Sequence, residues 1–117
     1  MKGIKKIRLS KCDKVWGQLI RESDQSCQYC GQENYLAAHH IYTRAIKATR
    51  LILENGITLC PAHHVFSSEF SAHKTPEKFK KWFANKWPTR LKIIKARLKT
   101  KITERQAIKD FVKKHDL

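Results

Sequence analysis

The stretch LAAHHI, residues 36–41, sets two histidines side by side in a short apolar run, and CPAHH, residues 60–64, supplies a second pair further along the chain. Apolar packing gives no reason for adjacent imidazoles, so both pairs are read as chemistry. If residues 36–42 form a short strand, successive side chains alternate between its faces, and His39 and His40 point opposite ways. One of the two can then ligate a metal while the other serves as a base, since a neutral imidazole takes a proton near pH 7. His64 directly follows His63, so anchoring His63 would fix its neighbour relative to the strand that carries His39.

The anchor is legible in the cysteines. Cys27-x-x-Cys30 and Cys60-x-x-His63 are two knuckles, each placing two ligands on one side of a tight turn, and together they make the Cys3His set that a structural Zn2+ takes. Gly31, just after the second cysteine, permits the turn that lets backbone amides face the thiolates. The 29 residues between the knuckles exceed an ordinary zinc-ribbon loop, so the insert has a role of its own. The alternative, three buried thiols and a surface histidine, leaves two correctly spaced pairs unexplained. Cys12 lies outside the set and is read as a packed or partly exposed thiol.

Composition narrows the partner. The 117 residues suffice for one domain with a modest core, and carry 25 Lys plus Arg against 10 Asp plus Glu, a formal net charge of +15. A polyanion is the expected partner, DNA before a membrane surface, because no apolar run is long enough to cross a bilayer. The N-terminus MKGIKKIRLSKC lacks the apolar stretch of a secretory signal, so an intracellular, cytoplasmic setting is expected, where thiols stay reduced and favour metal ligation over disulfides.

Around the two pairs the chain reads as helices. Residues 1–11 form a basic arm or edge strand, and Val15, Trp16, Leu19 and Ile20 mark a helix from Asp13 to about residue 26. Asn55-Gly56 is a turn dipeptide opening a second short strand with Ile57 and Leu59 in alternation. Pro61 begins a helix carrying His63, His64, Phe66 and Phe70. Thr75-Pro76 opens another with Phe79, Trp82 and Phe83 on one side, and Pro88 a third with Leu91, Ile94 and Leu98 inward. Thr103 and Gln106 form a capping box before Ala107, Ile108, Phe111 and Val112. From Lys74 to Lys101 there are eleven basic residues and one acid, Glu77.

The string CQYCG, AAHHI, NGITLC, PAHHVF, across residues 27–66, resembles the HNH endonuclease family, and SAHKTPEKFKKWF resembles its phage-type members; the knuckles are similar to those of endonucleases of the endonuclease VII type. The resemblance implies an α+β fold with a small ββα-metal core stabilised by structural zinc and flanked by N- and C-terminal helices. It divides the single domain into a basic arm (1–11), a zinc and HNH core (12–73) and a basic helical extension (74–117). It implies a metal-dependent DNA endonuclease in which His40 is the general base and His39 and His64 hold a catalytic divalent ion, Mg2+, Mn2+, Ni2+ or Zn2+. Asn55 would pin the loop and orient His40 by hydrogen bonding. Where some members have a third metal ligand this chain has Ser68; His73 can supply one if the chain turns back after Phe70, and is otherwise a surface or DNA-contacting residue.

Phosphate contacts would come from Lys5, Lys6 and Arg8 of the arm, from Arg44, Lys47 and Arg50 of the loop, and from the tail lysines. Cutting both strands would need a homodimer or two visits, and a phage DNA-processing protein is a further expected partner. The competing class is a non-catalytic zinc-containing DNA-binding module, whose histidine pairs only stabilise the fold. An RNA-binding zinc protein comes third: Tyr29, Tyr35, Tyr42 and the tryptophans could stack bases, though Trp16 and Trp82 sit at core spacing.

Overall fold

The computed structural model describes residues 7–117; the arm residues Lys5 and Lys6 lie outside them. The protein is α+β. A helix α1 (Leu9–Asp24) leads into a strand β1 (Ala37–His40), a short helix α2 (Lys47–Arg50), a 3-10 turn (Leu53–Asn55), a strand β2 (Gly56–Leu59) and a π-helical turn (Ala62–Phe66). Helices α3 (Pro76–Lys86), α4 (Pro88–Leu98) and α5 (Glu104–Lys114) follow.

Helix α1 starts four residues before the expected Asp13, taking the last part of the supposed arm with it. The reason is that Leu9, Cys12, Trp16 and Ile20 continue one apolar face at helical spacing, with Cys12, Trp16 and Ile20 all buried. Cys12 is therefore a core residue, completely enclosed, and burial pushes its thiol pKa up. The helix ends where Gln25 adopts a left-handed conformation, φ 64°, and its N–H caps the Arg21 carbonyl at 2.8 Å.

The two strands pair antiparallel, Ala37 with Leu59, Ala38 with Thr58, His39 with Ile57 and His40 with Gly56. Strand alternation divides the interior into two apolar clusters. Ala38 and Gly56 face α1, whose Trp16 and Ile20 pack with Leu51, Ala107 and Phe111. Ile57 and Leu59 face the other way, into a cluster with Phe70, Phe79, Phe83 and Ile94. All four β2 residues are buried because both faces are covered.

The expected turn dipeptide is divided, Asn55 ending the 3-10 turn and Gly56 already opening β2. The Gly56 φ is −119°, ordinary extended backbone, and the strands are joined by the long segment through α2. The glycine is there for room: a Cβ would fall 2.5 and 2.7 Å from Ile20 side-chain carbons and 2.6 Å from Trp16. Gly56→Ala should therefore destabilise the protein by about 1–3 kcal/mol through overpacking; an unchanged urea midpoint would show that α1 is not held that tightly.

The expected helix from Pro61 through Phe70 is the largest departure. One π-helical turn, Ala62–Phe66, is all that forms, and Ser67 is already extended at φ −71°, ψ 129°. The Ser67 hydroxyl accepts from the N–H groups of Glu69 (3.2 Å) and Phe70 (3.2 Å), which turns the chain back. Smaller corrections concern caps. Thr75 precedes Pro76 as expected, but its hydroxyl bonds back to Ser71 and caps nothing in α3. Thr103 accepts from Gln106 N–H at 3.1 Å, while the Gln106 side chain goes to Asp110, so only half of the capping box forms.

Candidate metal centres and the neighbouring histidine

The knuckles converge. Cys27 and Cys30 lie on the turn after α1, Cys60 follows β2, and His63 sits on the π-helical turn. Their ligand atoms all lie within 4.8 Å of one another. A tetrahedral zinc with Zn–S about 2.3 Å and Zn–N about 2.0–2.1 Å requires edges of roughly 3.8 Å between sulfurs and 3.6 Å from sulfur to nitrogen. The observed edges are 3.8 Å for Cys30 Sγ to Cys60 Sγ, 3.9 Å for Cys27 Sγ to His63 Nδ1 and 3.3 Å for Cys60 Sγ to His63 Nδ1. The group can hold a structural metal such as zinc.

The two cysteines of the first knuckle shift in opposite directions. Burial acts to raise the Cys27 thiol, but backbone N–H groups of Cys30, Cys60 and Tyr29 outweigh it and the net shift is downward, towards the thiolate that metals bind. Cys30 shifts upward, through burial first and then through the neighbouring Cys27 and Cys60 thiols. Gly31, at φ 84°, occupies the left-handed region that the knuckle turn demands, and its N–H reaches the Cys27 carbonyl at 2.8 Å.

A second cluster joins His39, His64 and His73, again with ligand atoms within 4.8 Å of one another. His73 arrives because the chain does turn back after Phe70: Ala72 N–H bonds to His63 O at 2.9 Å and His73 N–H to His64 O at 3.0 Å. Pairing with the π-helical turn thus aligns His73 beside His64. Ser68 is exposed and outside the cluster. Burial, with the neighbouring His64, His73 and His40 charges, pushes the His39 pKa down to about 3, and burial followed by His73 lowers that of His64. Neutral imidazoles keep the lone pairs that metals require, and three of them make a donor set suited to zinc or nickel, without the carboxylate that favours magnesium.

His40 lies at the end of β1, facing the α1 side. Its ring stacks on Trp16 with centroids 3.9 Å apart and planes 9° from parallel. Its Nε2 is 3.0 Å from the Arg50 carbonyl, an acceptor only, so Nε2 carries the proton and Nδ1 keeps its lone pair. Arg50 is fixed in turn by Asp13, which accepts from Nε at 3.0 Å and from an Nη at 2.6 Å. Burial lowers the His40 pKa, with the Arg50 carbonyl and Asp13 working against that shift.

Asn55 is fully buried and clamps the segment after His40. Its Oδ1 accepts from Tyr42 N–H at 2.8 Å, and its Nδ2 donates to Tyr42 O at 3.0 Å. It makes no bond to the His40 ring, so any orientation it gives His40 passes through the backbone. The ring itself is oriented by Trp16 and the Arg50 carbonyl.

His39, His40, His64 and His73 line one open cleft of about 560 Å³, with Arg44 and Lys80 on its rim. Strand alternation separates His39 from His40, but the strand ends at His40 and lets both reach that cleft. Of the loop cations expected to meet phosphate, Arg44 is exposed and available, whereas Arg50 is committed to Asp13 and Lys47 lies 3.7 Å from Glu104. Arg8 is exposed at the N-cap of α1. Asp13 and Arg50 were not foreseen as supports of His40; they are 37 residues apart, and no local pattern joins them. No helix among the described residues is long and apolar enough to cross a membrane.

No family model matches the chain, and no curated protein or solved structure matches it either.

Proposed function

We propose that the protein is a metal-dependent DNA endonuclease of the HNH type, with β1, β2 and the π-helical turn standing where that family has its ββα-metal core. The observation that supports this reading is the shared cleft, lined by His40 together with the clustered imidazoles His39, His64 and His73 and by the cations Arg44 and Lys80.

In the proposed reaction His40 Nδ1 takes the proton of a water as its oxygen adds to phosphorus, the P–O3′ bond breaks, and the departing 3′ oxygen takes a proton from solvent, leaving 5′-phosphate and 3′-hydroxyl ends. A divalent ion held by His39, His64 and His73 would stabilise the charge that develops on the phosphoryl and departing oxygens. Arg44 and Lys80 orient the phosphate from the rim. The Arg50 carbonyl holds the proton on Nε2 throughout, and Trp16 keeps the ring from rotating. The exposed lysines of α3 and α4 supply affinity with little sequence information.

Supercoiled plasmid with added metal tests the reading. Zinc-loaded protein should nick it with Ni2+ or Mn2+ at lower concentrations than with Mg2+, because imidazoles discriminate against magnesium. Retardation of DNA on a gel with no cleavage under any of these ions would replace the nuclease with a zinc-containing binding module. Equal activity at equal Mg2+ and Ni2+ would take the three histidines out of the metal site.

A further inference from the structure

The knuckle cysteines are not equally covered. Cys27 and Cys60 are 2 % and 1 % exposed, whereas Cys30 is open to solvent. The chain around it is open too: residues 29–35 are all exposed, and a Cβ added at Gly31 would meet nothing within 4 Å. Cys30 Sγ lies 3.8 Å from Cys60 Sγ, and these two thiols belong to different knuckles. The remaining thiol, Cys12, is completely enclosed and outside the cluster.

We propose that Cys30 is an oxidation site, at which hydrogen peroxide converts the Cys30 and Cys60 thiolates to a disulfide and so expels the structural metal. The inference does not depend on the nuclease reading. Oxidation of sulfur selects for thiolate character and for access. A thiol that coordinates a cation is deprotonated outright. All three knuckle cysteines therefore meet the first condition in the zinc-loaded protein, and only Cys30 meets the second. The Cys30 thiolate attacks one peroxide oxygen; the S–O bond forms, the O–O bond breaks and hydroxide leaves. The Cys60 thiolate then attacks the Cys30 sulfur; the S–S bond forms and the S–O bond breaks with loss of a second hydroxide. The two sulfurs give up two electrons, the peroxide takes them, and solvent protonates both hydroxides.

The choice of partner decides the consequence. A bond between Cys30 and Cys60 takes one ligand from each knuckle and leaves Cys27 with His63, half of the tetrahedral set that a structural zinc requires. A bond between Cys27 and Cys30 would instead leave the Cys60-x-x-His63 knuckle whole. With the ion expelled, the π-helical turn loses its anchor at His63. That turn accepts the Ala72 N–H at His63 and the His73 N–H at His64, the two bonds that align His73 beside His64. Oxidation at one exposed sulfur is therefore felt at the three imidazoles on the other side of the turn.

The full chain, loaded with one equivalent of zinc, is treated with hydrogen peroxide beside a chromogenic zinc chelator, while glutathione in a parallel tube reports that the dose oxidises thiols. The zinc should be released, and peptide mapping without reductant should find Cys30 joined to Cys60. Dithiothreitol with added zinc should restore the loaded protein. Cys12→Ser should behave as wild type. Cys30→His, which keeps a ligand and removes the exposed sulfur, should hold its zinc at the same dose. Zinc retained by wild type at a dose that consumes the glutathione would overturn the proposal. So would a disulfide mapped to Cys27 or Cys12, or release from zinc-loaded Cys30→His at the wild-type rate. If Cys30→His takes up no zinc, release and the disulfide map in wild type decide alone. None of these readouts involves cleavage, so the plasmid test can fail while this site stands, and the reverse.

Discussion

His40→Ala should lower the rate of plasmid nicking by about 10²–10⁴-fold while DNA affinity stays within a factor of about two, the signature of a lost general base. The magnitude follows from the role: proton removal acts in the transition state, so kcat falls and KM does not. Alanine also removes the ring stacked on Trp16, which sits 2 % exposed in the α1 cluster, and the gap alone could disturb the cleft. His40→Gln separates the two effects. A glutamine Nε2 can still donate towards the Arg50 carbonyl that now receives the histidine N–H at 3.0 Å, yet no group remains to accept a proton. Both variants should be equally slow and equally tight on DNA. A glutamine variant cleaving at the wild-type rate would transfer the base role elsewhere in the cleft.

That prediction depends on how the ring is held, and the holder lies outside the histidine motif. Trp16 and Asp13 are on α1, and Arg50 is the last residue of α2, so two helices distant in sequence converge on one imidazole. The salt bridge is partly buried, with the two side chains 15 % and 24 % exposed, so solvent screens it less than a surface pair. Its effect on His40 is positional, because the guanidinium fixes the carbonyl that fixes the proton.

What could be read from the sequence was whatever is local. The knuckles are spaced by two residues, so Cys27, Cys30, Cys60 and His63 announced their cluster; Ile57 and Leu59 announced β2 by alternation, and β1 was read from the short apolar run that carries His39 and His40. The proline-initiated helices α3 and α4 were equally plain. What escaped depends on tertiary context. Gly56 looks the same whether a turn needs it or α1 presses against it, and only the position of Ile20 and Trp16 decides. Periodicity extended the Pro61 helix through Phe70, but His63 and His64 belong to different clusters on adjacent residues, and a single π-helical turn followed by the Ser67 reversal accommodates both. That same reversal brings His73 in. Its recruitment was conditional on a turn that no residue pattern before Phe70 specifies.

Stripping the zinc, or changing Cys60→Ser, should cost more stability than any other single alteration. A structural zinc contributes about 10–16 kcal/mol to small metal domains, comparable with the entire 5–15 kcal/mol that holds a typical domain folded. In this chain the four ligands tie the turn after α1, the end of β2 and the π-helical turn together, and the last of these carries His64 and pairs with His73. Loss of the ion should therefore dissolve the histidine cluster and the Phe70–Phe79 side of the core. The Trp16, Leu51 and Phe111 cluster contains none of the four ligands and should retain part of the helical circular dichroism. Cys12→Ser is the control, since Cys12 is equally buried but outside the knuckles. Native mass spectrometry should find one tightly held zinc in wild type and in Cys12→Ser, and none in Cys60→Ser, whose thermal transition should broaden and fall by tens of degrees. If Cys60→Ser keeps both its zinc and its transition, the cysteine cluster is not the structural site, and the placement of His64 needs another support.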